Sequence, residues 1–278
     1  MPESPEVQAL ADFLAVRTAG LRVRDVDVIE FRVVKTRERP PSTLVGARVR
    51  GASRHGKHIA LTFDDGRILV ISLGRHGWIA WHDDREAEPL ADDAPPALAR
   101  IGFDGGSAME ATDAGSWVSL GIFVVDDPAD VPAVAKLGPD PADPGFSRAD
   151  FDRAFAGRRK QVKAILQEQE SIAGVGNAYS DEILHAAKVS PVAHASCLDA
   201  AALDRLHAAT VDTVRDAIAA RRGIPIDQLK AAKTAAMRVH GRAGQACPVC
   251  GGQIREFAFA STTADYCPTC QTGRSLLE

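Results

Sequence analysis

The amino terminus places an amine next to a carboxylate. Methionine before a small residue is usually removed, and loss of Met1 would expose the secondary amine of Pro2. An α-amino group has a pKa of about 8, so part of it is the free base at neutral pH. A free amine attacks an aldehyde-like carbon to form a Schiff base, and a neighbouring carboxylate such as Glu3 acts as general acid or base. The same residues also fit an ordinary helix start, so the terminus alone leaves both interpretations open.

Four of the five cysteines form two closely spaced pairs near the carboxyl end. Cys247-Pro-Val-Cys250 is followed after 16 residues by Cys267-Pro-Thr-Cys270. This spacing is typical of a four-cysteine zinc site, in which each pair turns tightly enough to present two thiolates to one ion. Because four thiolates close the coordination shell, the sequence predicts one structural zinc per chain, with two redox pairs as the alternative. The isolated Cys197 is predicted to be a small buried side chain.

The elements that must position these residues begin with a helix and continue as strands. A helix is predicted over residues 4–18, with Ser4 as its N-cap and Pro5 at its first position. Short β-branched segments bounded by turns follow. They predict strands over residues 22–29, 58–63, 67–73 and 122–125. Several short strands at this spacing favour a sandwich or barrel.

The second part of the chain has a helical period. The Pro-, Gly- and Asp-rich stretch 137–146 indicates a domain boundary. Beyond it, apolar residues recur at helical spacing, which predicts helices over residues 148–156, 160–169, 178–187 and 200–221. A glycine-rich turn at 174–177 separates two of these helices. From about residue 240 the chain is short, β-like and cysteine-bearing.

Composition and length indicate a soluble globular protein of about two domains. The chain has 278 residues, of which 45% are hydrophobic and 25% are charged. No run of 18 apolar residues predicts a membrane span, and the terminus lacks the basic and apolar regions of a secretory signal. Five clustered cysteines do not suit a disulfide scaffold. We therefore expect a cytoplasmic protein, associated with the nucleoid if it is bacterial.

The charge is unevenly distributed. The net charge is −4, but residues 1–150 carry 17 basic and 24 acidic side chains, whereas the rest carries 16 and 13. Much of the acid lies in runs at 83–88 and 92–93, which we interpret as solvated loops. A basic face that binds nucleic acid can coexist with acidic loops that point away, although the pI of about 6.1 does not by itself support one.

Six motifs occur in order along the chain, and their combination is specific. They are MPESPEV at the terminus, SRHGK at 53–57, SLG at 72–74, LGPDP at 137–141, AGVGNAYSDE at 173–182 and the two CxxC pairs. With these motifs the chain resembles the formamidopyrimidine-DNA glycosylase/endonuclease VIII family of base-excision repair enzymes, from residue 2 to about residue 271. The resemblance implies an α+β fold: an N-terminal β-sandwich with flanking helices (1–136), a helix–two-turn–helix module (137–240) and a four-cysteine zinc finger (241–278).

The resemblance also implies a bifunctional DNA glycosylase/AP lyase. Pro2 matches the family's catalytic proline, which attacks C1′ of the damaged nucleotide. The base leaves and an iminium forms, which permits elimination of the 3′ phosphate and then of the 5′ phosphate. Glu3 matches the residue that assists at the sugar ring oxygen and shuttles protons. Glu6 matches a further carboxylate of the motif, and a helix N-terminal charge is its alternative role.

Three residues match phosphate contacts of the family. Lys57 matches the lysine of a β-turn that contacts phosphate near the lesion and supports catalysis. Asn177 matches an asparagine that binds phosphate together with backbone N–H groups of the glycine-rich turn, where glycines let the backbone approach closely. Arg242, in the pair Gly241-Arg242, matches another phosphate contact.

The chain departs from the family where the flipped-out base leaves a gap in the stack. The usual Leu-Gly-Met wedge reads Leu73-Gly74-Arg75, followed by His76, so we expect Arg75 or His76 to enter the duplex. The family's second wedge segment is not recognisable. Trp117 lies in that stretch and is expected to be a core residue, with a substitute wedge as the alternative. Residues 223–237 are poor in the Gly, Thr and aromatic residues of the loop that covers the lesion in the family. Residues 261–263 stand where the family's zinc finger has an arginine. These departures affect lesion choice more than the chemistry at C1′.

Two other interpretations stay open. A non-catalytic paralogue that binds damaged DNA would have the same fold, but the retention of Pro2, Glu3 and Lys57 favours the enzyme. A zinc-containing protein-interaction module explains the cysteines but neither the terminus nor the glycine turn. For the enzyme we expect damaged double-stranded DNA as the partner, a monomer and no membrane association.

Overall fold

The computed structural model describes residues 1–83, 95–259 and 262–277. Most of the two acidic runs lies outside these residues. So does Ser261, which occupies part of the stretch where the finger arginine was expected. The chain divides into two compact units. The first unit comprises Met1–Pro2, Glu6–Lys136 and Gly223–Asp227, and the second comprises Glu3–Pro5, Leu137–Arg222 and Gln228–Glu278. The predicted three-domain division stays a prediction.

The first unit is built from two four-stranded antiparallel sheets. Its strands are β1 (Val23–Val28), β2 (Val49–His55), β3 (His58–Phe63), β4 (Ile68–Ser72), β5 (Gly77–His82), β6 (Ala97–Phe103), β7 (Ala108–Asp113) and β8 (Gly121–Val125). One sheet has the order β1-β6-β7-β5 and the other β2-β3-β4-β8. The predicted strands agree with β1, β3, β4 and β8 to within a residue at each end, which supports the predicted sandwich class.

Helices accompany these sheets. Helix α1 (Ser4–Arg17) starts at Ser4 itself, and it buries the predicted apolar stripe of Val7, Leu10, Ala11 and Leu14. A short helix α2 (Pro132–Ala135) follows the last strand of the unit. Burial of each leucine of α1 contributes roughly 1.5–3 kcal/mol, so packing rather than helix propensity stabilises this helix.

The second unit is mainly helical and ends in a small hairpin. Its elements are α3 (Arg148–Phe155), α4 (Val162–Gln167), α5 (Asn177–Ala187), α6 (Ala200–Arg221), α7 (Leu229–Ala236), β9 (Arg255–Phe259), β10 (Thr262–Tyr266) and α8 (Pro268–Gln271). The four predicted helices correspond to α3–α6. They pack around buried residues that include Phe151, Tyr179, Leu184, Leu206 and Val214. The α+β class is therefore confirmed.

Two expectations about the second unit are wrong or incomplete. Helix α7 was not predicted, although its sequence, LKAAKTAA, is rich in strong helix formers. Cys197 is exposed rather than buried, because it ends a 3-10 turn that directs only Ala195 inward. Among the described residues, no helix is both long and apolar enough to cross a bilayer.

Candidate active site and zinc site

The carboxylate of Glu3 lies at the amino-terminal end of α5. It is only 1% exposed and accepts hydrogen bonds from the backbone N–H groups of Gly176, Ala178 (3.1 Å) and Tyr179 (3.4 Å). The first N–H groups of a helix have no partner within the helix and carry a partial positive charge. Glu3 therefore satisfies these donors, and they stabilise its negative charge.

The glycine-rich turn is shaped around this carboxylate. A Cβ atom built on Gly176 would lie 2.6 Å from Cδ of Glu3, so only glycine leaves room for it. The backbone N–H of Ser4 also donates to the carbonyl of Gly174 at 3.0 Å, which fixes the start of the chain on the turn. The phosphate role that the resemblance implies for the N–H groups of this turn stays a prediction, and in the structure the N–H of Gly176 donates to Glu3.

Asn177 begins α5 and is half-buried. Its Oδ1 accepts a hydrogen bond from Nε2 of Gln167 at 3.0 Å. This bond orients the side-chain amide so that its nitrogen is directed away from Gln167. The predicted phosphate role of Asn177 stays a prediction.

A cation that the sequence analysis missed completes the surroundings of Glu3. Nζ of Lys233, on α7, lies 3.2 Å from Oε1 of Glu3 and 4.9 Å from the centroid of the Tyr179 ring. Its side chain is 14% exposed. Lys233 was missed because it lies 230 positions from Glu3, in a segment without a family pattern. The helix-forming residues of α7 were the only feature of the sequence that could have pointed to this helix, and so to Lys233.

The remaining terminal residues are also buried. Pro2 is buried in the first unit, and Met1 is half exposed. Glu6 is 1% exposed, so it is not a solvated charge at the helix start. A buried carboxylate needs hydrogen-bond partners, and its position four residues after Pro2 keeps Glu6 a candidate for the site.

Lys57 occupies a two-residue turn between β2 and β3, as the motif predicted. Gly56 has a φ of +55°, which matches the twist of a tight hairpin. Arg54 donates to the carbonyl of Gly56 at 3.0 Å and to Oε1 of Gln8 at 2.9 Å, which supports the turn from the side of α1. Burial lowers the pKa of His55 and of His58 and so favours their neutral forms, while Lys57 and Arg54 are the cationic side chains of this hairpin.

Arg75 and His76 lie in a turn that packs against the segment between β7 and β8. The N–H of Arg75 donates to Oγ of Ser119 at 3.0 Å, and the rings of His76 and Trp117 meet edge to face at 6.3 Å. Trp117 is 57% exposed, so the expectation of a core tryptophan is wrong. The two segments therefore present Arg75, His76 and Trp117 together at the surface of the first unit.

Asp113 fixes the shape of the segment that carries Trp117. Its carboxylate accepts bonds from the N–H groups of Gly115 (2.9 Å), Ser119 (2.9 Å) and Leu120 (3.1 Å). Burial opposes the charge of Asp113, but these hydrogen bonds outweigh it and lower the pKa of the carboxyl group. The segment is consequently held out from the core, and the tryptophan with it.

The guanidinium of Arg242 contacts the carboxyl end of α7. It donates to the carbonyls of Thr234 (3.0 Å), Ala235 (3.3 Å) and Met237 (3.3 Å). These carbonyls have no partner within the helix, and a cation there also interacts favourably with the helix dipole. Arg242 therefore has a structural role that the sequence analysis did not foresee, in addition to the phosphate role predicted for it.

The four cysteines meet in one place. The Sγ atoms of Cys247, Cys250, Cys267 and Cys270 lie within 4.8 Å of one another. Tetrahedral zinc–thiolate bonds of about 2.3 Å place sulfurs roughly 3.8 Å apart, so the donor set fits a zinc ion. Backbone N–H groups of Val249 and Gly252 point at the first two sulfurs at 3.5 and 3.4 Å and stabilise thiolate charge.

Side chains of α5 join the finger to the helical part of the second unit. Glu182 accepts bonds from the N–H groups of Arg238, Val239 and His240 at 2.9–3.0 Å, and Nε2 of His185 lies 3.3 Å from Sγ of Cys247. These contacts hold the segment that leads into the finger against α5.

A buried ionic cluster continues from the same helix. Lys163, whose pKa is lowered by burial, contacts Asp181, and Asp181 contacts His240 at 2.8 Å. His240 also lies 3.6 Å from Asp265 of β10. No periodicity or motif in the sequence signalled this cluster.

Known proteins match this chain along its whole length. Residues 1–116 match the family model of the formamidopyrimidine-DNA glycosylase N-terminal domain, residues 137–227 its H2TH domain, and residues 244–273 the zinc finger found in FPG and IleRS. The formamidopyrimidine-DNA glycosylase of Mycolicibacterium gilvum is 31% identical over 286 residues, which cover 98% of each chain. This chain belongs to the formamidopyrimidine-DNA glycosylase family.

A further relative and a solved structure are also similar to this chain. An uncharacterized formamidopyrimidine-DNA glycosylase-like protein of Mycobacterium tuberculosis is 45% identical over 149 residues, 54% of this chain and 93% of that protein. The fold matches that of Lactococcus lactis FPG, solved with DNA that contains FAPY-dG, with a TM-score of 0.86 at 24% identity over 97% of this chain and 100% of the other. The zinc-finger family model matches the segment that holds the four predicted cysteines, and their thiolates cluster in the structure. The chain therefore has the structural zinc site of the family at these cysteines.

Proposed function

We propose that this family member is a bifunctional DNA glycosylase/AP lyase of base-excision repair. The observation that carries the proposal is the Glu3 carboxylate, held by three backbone N–H groups and by Lys233 directly after the candidate nucleophile Pro2. Because the carboxylate is buried and accepts hydrogen bonds from several donors, it is held in a fixed position. The family assignment indicates the class of reaction, and the proposed catalytic residues are Pro2, Glu3 and Lys57.

The proposed reaction begins with the free amine of Pro2. Its lone pair attacks C1′, the bond from C1′ to the base breaks, and the base leaves with that electron pair and takes up a proton. Glu3 takes the N–H proton from the attached nitrogen and delivers it to O4′. The C1′–O4′ bond then breaks with its electron pair going to O4′, and the nitrogen lone pair turns the C1′–N bond into an iminium. The iminium draws electrons from C2′, so loss of a C2′ proton expels the 3′ phosphate. Glu3, as a carboxylate or carboxylic acid, assists at O4′ and carries these protons.

Damaged double-stranded DNA is the proposed partner. Lys57, Asn177 and Arg242 are the proposed phosphate contacts, and Arg75, His76 and Trp117 the proposed residues at the gap in the stack. The zinc is structural, because four thiolates leave no open coordination position for chemistry. We further propose a monomer that acts in the cytoplasm, where bacterial DNA lies, and the three-domain division 1–136, 137–240 and 241–278.

The phosphate contacts give a prediction that binding measurements check. Replacement of Lys57, Asn177 or Arg242 by Ala should weaken binding to a similar degree on DNAs of different sequence, because phosphates carry no base identity. Loss of Lys57 or of Arg242 should lower the slope of log K against log salt by about one, whereas Asn177→Ala should leave it unchanged. Titrations by fluorescence anisotropy at several salt concentrations measure both quantities. An unchanged slope in both charge variants would place the DNA on another surface.

The gap-filling residues give a second prediction. A side chain that stacks in the gap contributes about 1–3 kcal/mol per base, so Trp117→Ala and Arg75→Ala should each slow cleavage of a duplex abasic site about tenfold. On a single-stranded abasic site, which has no gap to fill, both variants should match the wild type. Phe31→Ala is the control, because Phe31 is an 80% exposed aromatic residue of the same unit outside these segments.

The same residues predict lesion choice. Arginine stacks on bases but excludes water from the gap less well than methionine does. The rate at which the lesion nucleotide flips out should therefore depend more strongly on how weakly that nucleotide is stacked than it would with methionine in the gap. We expect weak excision of 8-oxoguanine opposite cytosine and better activity on abasic sites and helix-destabilising pyrimidine lesions. Excision rates on a panel of duplexes measure this preference. Robust 8-oxoguanine removal that is insensitive to Arg75→Ala and His76→Ala would contradict the assignment.

The non-catalytic paralogue is the competing proposal, and borohydride trapping separates the two. Sodium borohydride reduces an iminium to a stable amine, so an enzyme with a free Pro2 becomes covalently linked to DNA that carries an abasic site. A binding protein retains affinity for the same DNA but gives no adduct. The protein must first be shown by mass spectrometry to have lost Met1, since a blocked amine cannot react.

A further inference from the structure

We propose that Lys233 is a positioning residue that keeps Glu3 ionised and fixed for proton transfer. This inference rests on the proposed function, because it concerns the same carboxylate. Lys233 lies in the segment where the sequence departs from its family, and neither the motifs nor the family models assign it a role. The geometry around Glu3 is what points to it.

The contacts of Lys233 are specific on both sides. Its ammonium is 3.2 Å from Oε1 of Glu3, the same oxygen that accepts the N–H of Ala178. The ammonium also lies over the ring of Tyr179, 4.9 Å from its centroid, which is a cation–π distance. Glu3 is 1% exposed and Lys233 14%, so water screens this pair far less than a surface ion pair.

Lys233 is held by a helix and not by a mobile loop. Leu229 anchors the start of α7 in the core, being fully buried, and Met237 is buried just beyond its end. Arg242 caps the last carbonyls of the helix. Because the backbone of α7 is fixed at both ends, the ammonium reaches Glu3 with a small loss of conformational freedom.

Other groups of the second unit also act on Glu3. Lys163 of α4 has an electrostatic interaction with Glu3, while its ammonium contacts Asp181. From α5, backbone N–H groups donate to the carboxylate. Of these two lysines, Lys233 is the one whose ammonium contacts the carboxylate directly.

The consequence is a pH dependence of definite sign. A nearby ammonium favours the carboxylate over the carboxylic acid, and such a partner typically changes the titration of a carboxyl group by about one to three pH units. Without the ammonium, Glu3 takes up a proton more easily as the pH falls. Protonation of the Pro2 amine, whose ordinary pKa is about 8, sets the first fall of the cleavage rate with pH, so loss of ionised Glu3 adds a second, steeper break at lower pH. This lower break, taken here as the acid limb, should move to higher pH by about one unit in Lys233→Met.

The experiment compares Lys233→Met with Lys233→Arg, which keeps the charge, under single-turnover conditions across pH. Lys160→Met is the matched control, because Lys160 forms a similar ammonium–carboxylate pair with Glu168 at 2.9 Å that is exposed to solvent. A second readout needs no activity: carboxyl-13C-labelled glutamate follows the titration of Glu3 by NMR, and Glu3→Gln identifies its signal.

The proposal predicts an acid limb that moves in Lys233→Met, returns toward its original position in Lys233→Arg and stays in place in Lys160→Met. The Glu3 carbon signal should titrate at higher pH in Lys233→Met alone. An unmoved limb and an unmoved titration overturn the proposal, as does equal loss of rate in the Met and Arg variants without a pH shift. If the NMR titration moves but the wild type cleaves no abasic DNA, the pair is real and the proposed lyase function fails.

Discussion

Cys267→Ser is expected to abolish zinc binding and to unfold the finger. The apolar cluster of the finger consists of Val239, Ile254 and the cysteines themselves, so little hydrophobic area remains without the metal. A two-stranded hairpin such as β9–β10 is marginal on its own, whereas structural zinc contributes roughly 10–16 kcal/mol of binding free energy. Zinc content should fall from about one equivalent per chain to near zero, and affinity for abasic DNA should fall at least about tenfold.

Elemental analysis and circular dichroism measure this effect, with Cys197→Ser as control. Cys197 is exposed and lies outside the cluster, so its replacement should change neither zinc content nor DNA affinity. Chelation of the wild-type protein should reproduce the Cys267→Ser result. Zinc-free protein with an ordered finger and full affinity would show that the metal is dispensable.

Pro2→Gly is expected to reduce the borohydride-trapped adduct on the order of a hundredfold. Glycine retains an amine, but it removes the ring that fixes the nitrogen relative to Glu3. A misplacement of about 1 Å at a reacting centre is enough for a loss of this size. An added N-terminal residue, which turns the amine into an amide nitrogen, should abolish trapping completely.

Gel separation of trapped protein–DNA adducts measures the loss, and DNA affinity serves as the internal control. Pro2 is not among the proposed phosphate contacts, so Pro2→Gly should bind abasic DNA nearly as well as the wild type. If Pro2→Gly and an N-terminally extended protein both gave as much trapped adduct as the wild type, another amine would be the nucleophile.

The sequence was a good guide wherever local pattern decides structure. The helices α3–α6 and the strands β3 and β8 follow from periodicity and turns, and the zinc site from two CxxC pairs. The turn at Lys57 followed from its motif, because a two-residue hairpin is a local structure. The contact between the N–H of Gly176 in the glycine turn and the protein's own Glu3 was not foreseen, and the phosphate role of this turn stays a prediction.

The failures concern contacts that no local pattern of residue types reveals. Lys233 meets Glu3 across 230 positions, and Arg242 meets α7 through carbonyls that carry no side-chain signature. Trp117 is exposed because Asp113 fixes its segment by backbone bonds, which composition does not reveal. Cys197 illustrates the limit of residue averages, since cysteine is usually buried but a 3-10 turn directs this one outward.

The most direct test of the account is to locate the trapped adduct in the wild-type chain. Protein with a verified free Pro2 is incubated with abasic duplex DNA and borohydride, digested, and mapped by tandem mass spectrometry. The account predicts a single cross-linked peptide, the N-terminal one, with the sugar remnant on the nitrogen of Pro2. An adduct on an internal amine such as Lys233, or no adduct despite tight binding, would contradict it.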